Sequence, residues 1–182
     1  MCKWNIFMPL DNALIARIKA EILRFTTVEV EQFLLAHPDK TFYAFAFDTH
    51  AEYAELNLCF NTEADFQQRL TYYQSGEWAA SYQSPEAIQE LKFNTGDWEY
   101  QCFSTCYVLS EDELQTIQQS LPEDDFSEWE EIVRQIRAVF NECLVQFTQT
   151  EVYQAIPKTD GFMAFSIDHD EDVADMLADR FL

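Results

Sequence analysis

Apolar residues at Leu14, Ile18, Ile22 and Phe25 recur every three or four positions and predict an amphipathic helix. Asp11 is its expected N-cap. The stripe continues less regularly through Val28, Val30, Phe33 and Leu34. Thr26 and Thr27 are weak helix formers, so a kink or restart is expected there. Pro38 ends the element at position 36 or 37. The period then changes. Thr41 to Asp48 is aromatic-rich and too short for a helix between Pro38 and the turn-like Asp48-Thr49-His50, so it reads as a buried strand. Residues 52–60 alternate, with Ala54, Leu56, Leu58 and Phe60 on one face and Glu55, Asn57 and Cys59 on the other. That predicts an antiparallel partner with one face toward the core.

Asn61 or Thr62 caps a second helix, with the stripe Phe66, Leu70 and Tyr73. Gly76 to Gly96 is the least regular part, holding a short helix from Ser84-Pro85-Glu86 to about Leu91. Trp98 to Leu109 holds a further strand on a weaker pattern. Ser110 and Glu113 form a capping box before the stripe Leu114, Ile117, Leu121, which Pro122 breaks. Asp124 or Asp125 caps a long helix carrying Trp129, Ile132, Val133, Ile136, Phe140 and Leu144. Phe162 to Asp168 reads as a strand, and an acidic helix with Val173, Met176 and Leu177 inward closes the chain. The order predicts an α+β fold. Its sheet is small and mainly antiparallel, of about three to five strands, and amphipathic helices cover it. Without Pro-, Gly- or Ser-rich linkers or repeats, residues 1–182 read as a single domain.

Composition narrows the chemistry. With 48% hydrophobic residues in a 182-residue chain, general disorder is excluded. There are only three glycines, Gly76, Gly96 and Gly161, so the Gly-rich loops that cradle phosphates are absent, as is the G-x-S-x-G nucleophile elbow. The 33 acids against 11 bases give a net charge of −22, which repels nucleic acid and anionic lipid. Residues 111–182 hold 18 of the acids and 4 bases, and Glu111 to Glu131 contains nine acids and no base. Such a run serves either as a solvated face or as a docking surface for a basic partner. The start of the chain lacks a signal-peptide pattern and no stretch reaches membrane-spanning length, so a cytoplasmic protein with reduced thiols is expected.

Each local constellation has a plain structural alternative. Asp168, Asp170 and Asp172 occupy positions 1, 3 and 5 of an EF-hand-like loop, but Val173 stands where Gly is needed and Asp179 where the bidentate Glu belongs. A strand end followed by an acidic helix start is the preferred reading, and no metal or cofactor is expected. Cys102 and Cys106 lack a second ligand pair for zinc, so small buried thiols are expected. Cys59 and His50 could meet on the hairpin as nucleophile and base, although no local signature supports it. Phe42, Tyr43, Phe45 and Phe47 read as a core strand rather than a pocket wall.

The aromatic strand Phe42-Tyr43-Ala44-Phe45-Ala46-Phe47-Asp48 follows a helix ending in His37-Pro38-Asp39. Asn61-Thr62-Glu63 opens the next helix, and Asp97-Trp98, a long helix and a late strand ending near Asp168 come after it. Together these features resemble a bacterial family of uncharacterised proteins, domain of unknown function 4303. The resemblance brings no catalytic residues. It implies a cytoplasmic bacterial protein of the kind kept beside toxins or other secreted effectors. The expected function is therefore non-enzymatic binding of a basic protein, in its concrete form immunity-type inhibition of a toxin or nuclease. Glu111, Asp112, Glu113, Asp124, Asp125 and Glu128 would pair with the partner's Lys and Arg. The alternatives are a small-molecule-binding module or enzyme with a pocket beside the aromatic strand, and a structural or oligomeric component. The sequence sets no oligomeric state.

Overall fold

The computed structural model describes residues 10–122, 126–169 and 171–178. Helix α1 (Asn12–Ala36) starts where Asp11 Oδ1 accepts the Leu14 amide at 2.7 Å. It runs unbroken through Thr26 and Thr27, against the expected kink. Thr26 is fully buried within the stripe Ile18, Ile22, Thr26, Val30 and Phe33, and packing outweighs its low propensity. Strand β1 (Phe42–His50) turns through Ala51–Tyr53 and the left-handed Ala54 (φ 52) into β2 (Glu55–Asn61). Thr62, rather than Asn61, caps α2 (Glu63–Ser75), and Ser84 caps α3 (Pro85–Phe93). After β3 (Tyr100–Tyr107), the Ser110–Glu113 capping box opens α4 (Glu111–Ser120). Helix α5 (Ser127–Phe147) is followed by α6 (Glu151–Ala155), β4 (Lys158–Asp168) and α7 (Val173–Ala178). The N-cap of α5 is Phe126, without a side-chain cap, whereas Asp124 and Asp125 lie outside the described residues. The α6 turn had no signal in the stripe pattern.

The four strands form one sheet in the order β3-β2-β1-β4. β1–β2 and β2–β3 are antiparallel, while β1–β4 is parallel, so this α+β sheet is mixed with an antiparallel majority. Strand β4 begins four residues before the expected Phe162. Phe42 pairs with Lys158 and Ala44 with Met163, and the surplus residues of β4 bulge at Gly161, whose φ of 80 suits glycine.

Helices cover both faces of the sheet. On one, Phe45, Phe47, Leu56, Leu58 and Phe60 meet α1 and α5. On the other, Ala44, Ala46, Cys59, Phe165 and Ile167 meet α2, α3, α7 and Trp98. Small alanines in β1 leave room for Trp98 and Phe165, whose rings meet edge-on at 5.7 Å. This second layer buries Asn57 and Cys59, which the alternation had placed on an open face. The aromatic run of β1 is core. Phe42, Phe45 and Phe47 have no exposed surface, and the Phe45 ring lies 4.8 Å from Phe60 and 5.4 Å from Phe147. Among the described residues, no helix is long and apolar enough to cross a membrane.

Candidate functional site

The acidic run falls on α4 and the start of α5, with Glu123, Asp124 and Asp125 outside the described residues. Ser110 Oγ accepts the Glu113 amide at 3.2 Å, and the Glu113 carboxylate accepts the Ser110 amide at 2.9 Å. Arg17 of α1 donates to the same carboxylate at 2.7 Å. The Ser110 amide first, and Arg17 in addition, hold Glu113 below the usual carboxylate range. Glu131 is likewise lowered by the forked bond from Arg134, at 2.6 and 2.8 Å, and by Gln135. Glu113 and Glu131 therefore serve the fold.

Glu111, Asp112 and Glu128 are different. Among the described residues none of them has an ion-pair partner, and Glu111 and Asp112 are exposed. Glu111 stands one helical turn before Gln115, and the same side of α4 continues through Gln118 and Gln119. Those glutamines, with Leu121, Pro122, Phe126 and Trp129, line a half-open groove of about 580 Å³. Phe126 is 75% exposed there. At the other end of α4, Glu111 shares a second groove of about 460 Å³ with Tyr53, Glu55, Tyr107 and Leu109. Tyr53 and Tyr107 are exposed aromatics. Among the described lining residues, no Lys or Arg enters either groove. The face thus combines unpaired carboxylates, amide side chains and exposed rings. These are the groups that take up ammonium and guanidinium ions by charge-assisted hydrogen bonds and cation–π contact. Trp129 keeps its place in the core stripe while also lining the groove, and the exposure of Phe126, which the sequence pattern did not single out, was not legible.

The other sequence candidates separate. Asp168 is buried at the end of β4 and both of its oxygens are taken. Arg137 donates to Oδ1 at 3.0 Å, while Thr49 Oγ1 at 3.0 Å and the Ala51 amide at 3.1 Å donate to Oδ2. Asp172 accepts the Ala174 amide at 2.8 Å in the first turn of α7, and Asp170 lies outside the described residues. The carboxylate at position 1 of the EF-hand-like loop therefore closes the fold through an arginine. Cys59 does not meet His50. It pairs with Ala46, whereas His50 pairs with Glu55 and stacks on His169 at 4.9 Å. Cys106 is half-buried, and burial pushes its thiol up to about 11. Cys102 is exposed, against the expectation of a buried thiol.

An α+β domain with a mixed four-stranded sheet between two helical layers, and an acidic aromatic face on α4 and α5, is what this chain builds. The chain belongs to the family described as domain of unknown function (DUF4303), whose profile matches residues 22–181. No curated protein and no solved structure matched the chain.

Proposed function

We propose that this protein is a non-enzymatic binding protein of the bacterial cytoplasm, and that its target is a basic protein, in the concrete case a toxin or nuclease that it inhibits by occlusion. The observation that carries the reading is the juxtaposition on α4 and α5. Glu111, Asp112 and Glu128 lack ion-pair partners among the described residues, and they are carried by α4 and the first turn of α5, other residues of which, with the exposed Phe126, line a groove. A solvated acidic face does not need exposed aromatics, whereas an interface gains most of its affinity from them. The surrounding net charge of −22 steers a cationic partner toward this face and raises its association rate. Occlusion follows because the Lys and Arg that bind phosphate would be held by carboxylates instead.

The test is capture from the host lysate at low and at physiological salt, comparing the native chain with an E111Q/D112N/E128Q variant and with Phe126→Ala. The native chain is expected to retain one stoichiometric basic protein that leaves as salt rises. Removing three surface charges should weaken that complex about tenfold, at roughly half a kcal/mol per pair. Phe126→Ala should weaken it by a similar factor. Equal binding by all three proteins, or binding indifferent to salt, would remove this reading.

A further inference from the structure

Cys59 and Cys102 are 43 residues apart and meet across β2 and β3. The register brings them together. Leu58 pairs with Ser104 and Phe60 with Tyr100, so Cys59 faces a stretch of β3 carrying two surplus residues. Cys102 is at the centre of that bulge with φ 45, a left-handed conformation that side chains with a Cβ seldom adopt. The bulge turns the Cys102 amide onto Cys59 Sγ, at 3.1 Å. The two sulfurs and a carboxylate oxygen of Asp48 all lie within 4.8 Å of one another. The thiols differ in access, because Cys59 has no exposed surface and Cys102 is open to solvent.

From this geometry we infer that Cys59 and Cys102 are a reactive dithiol site for hydroperoxides, with Cys102 as the attacking thiol and Cys59 as the resolving one. The hydrogen bond from the Cys59 thiol draws Cys102 below the usual thiol range, and the same bond together with burial drives Cys59 well above it. Cys143, buried against α1, is pushed up to about 11 by burial. Cys102, open to solvent where Cys59 is buried, is the thiol a hydroperoxide can reach, and the direction of its shift agrees. Its sulfur attacks the O–O bond of the hydroperoxide, and the distal oxygen stays on sulfur as a sulfenic acid. The alkoxide or hydroxide that departs takes a proton from solvent. Cys59 then attacks that sulfur, the S–O bond breaks, and hydroxide leaves with the Cys59 proton as water. The two thiols lose two electrons and the peroxide gains them. A small dithiol reverses the bond by exchange.

Asp48 works against the attacking thiol. Its carboxylate is held by Thr95 Oγ1 at 2.6 Å, and its charge opposes thiolate formation at Cys102. Asp48→Asn should therefore speed the reaction of Cys102, whereas at a metal site the same change would remove a ligand.

The test treats the reduced full chain with hydrogen peroxide, alkylates it and maps its peptides. The expected result is the loss of two hydrogens, a Cys59–Cys102 cross-linked peptide reversed by dithiothreitol, and Cys106 and Cys143 still open to alkylation after unfolding. Cys59→Ser should accumulate a sulfenic acid at Cys102 that dimedone traps, and Asp48→Asn should cross-link faster. Oxidation of the native chain at Cys102 to sulfinic acid without a cross-link would overturn the assignment, and that readout needs no variant to fold. So would protection of both thiols from alkylation by one equivalent of zinc, lost in Asp48→Asn, which would make the cluster a metal site.

Discussion

Arg137 and Asp168 bind the long helix to the end of the parallel strand pair, and their geometry sets what each substitution costs. Asp168 has 2% of its side chain exposed against 35% for Arg137. Arg137→Ala would leave a buried carboxylate with only Thr49 and the Ala51 amide as donors. We expect a loss of about 3 kcal/mol, the lower end of the range for breaking a buried pair, since Arg137 is partly hydrated. An unchanged urea midpoint would contradict this. Tyr43 makes a second prediction. Its hydroxyl donates to the Lys92 carbonyl and accepts from Asn61 at 3.1 Å, and burial raises its ionisation well above the usual tyrosine value. The folded chain keeps this proton where the unfolded chain loses it, near pH 10. The stabilisation is complete below that pH and is lost as pH rises beyond it. Tyr43→Phe should lower stability at neutral pH by about 1 kcal/mol and flatten the alkaline decline, as measured by urea unfolding from about pH 8 to 11.

Helix α4 shows how an element with little core stays in place. None of its residues is buried, and Leu114 and Ile117 only flank the core. The capping box therefore carries a larger share of its stability than in α5, which buries Ile132, Ile136, Val139, Phe140, Cys143, Leu144 and Phe147. Ser110→Ala should cost about 1 kcal/mol. Amide exchange should accelerate in α4 while the α5 interior keeps its protection. Exchange unchanged in α4 would mean that the Arg17–Glu113 pair, at 2.7 Å, holds the helix by itself. The same capping logic explains why the start of this helix was legible from Ser110 and Glu113, ahead of the short stripe Leu114, Ile117 and Leu121. Helix α5 was legible from its stripe, whereas its expected cap at Asp124 or Asp125 falls outside the described residues and its N-cap Phe126 makes no side-chain cap.

The molecule as a whole carries a charge of −22 that its described ion pairs do little to relieve. Most of those pairs are at the surface and each contributes well under about 1 kcal/mol, so screening removes more repulsion than attraction. The melting temperature should therefore rise as sodium chloride goes from about 10 to 150 mM, where the screening length falls from roughly 30 to 8 Å. A melting temperature that falls with salt would mean that the ion pairs outweigh the self-repulsion. What the sequence determined by itself was local. The 3.6-residue stripes gave α1 and α5, the aromatic run gave β1, Asp11 and Ser84 marked helix starts, and nine acids without a base located the charged face. Each of these follows from backbone periodicity or from counting, and needs no knowledge of distant chain. The tertiary structure decided what depends on two segments meeting. It put β4 parallel to β1, covered both sheet faces so that Asn57 and Cys59 became interior, and joined Arg137 to Asp168. It also left Phe126 bare beside the unpaired acids and aimed Cys102 at Cys59 through a bulge. A contact across tens of residues depends on the register and layering that fix it, and these arise only when the whole core is packed.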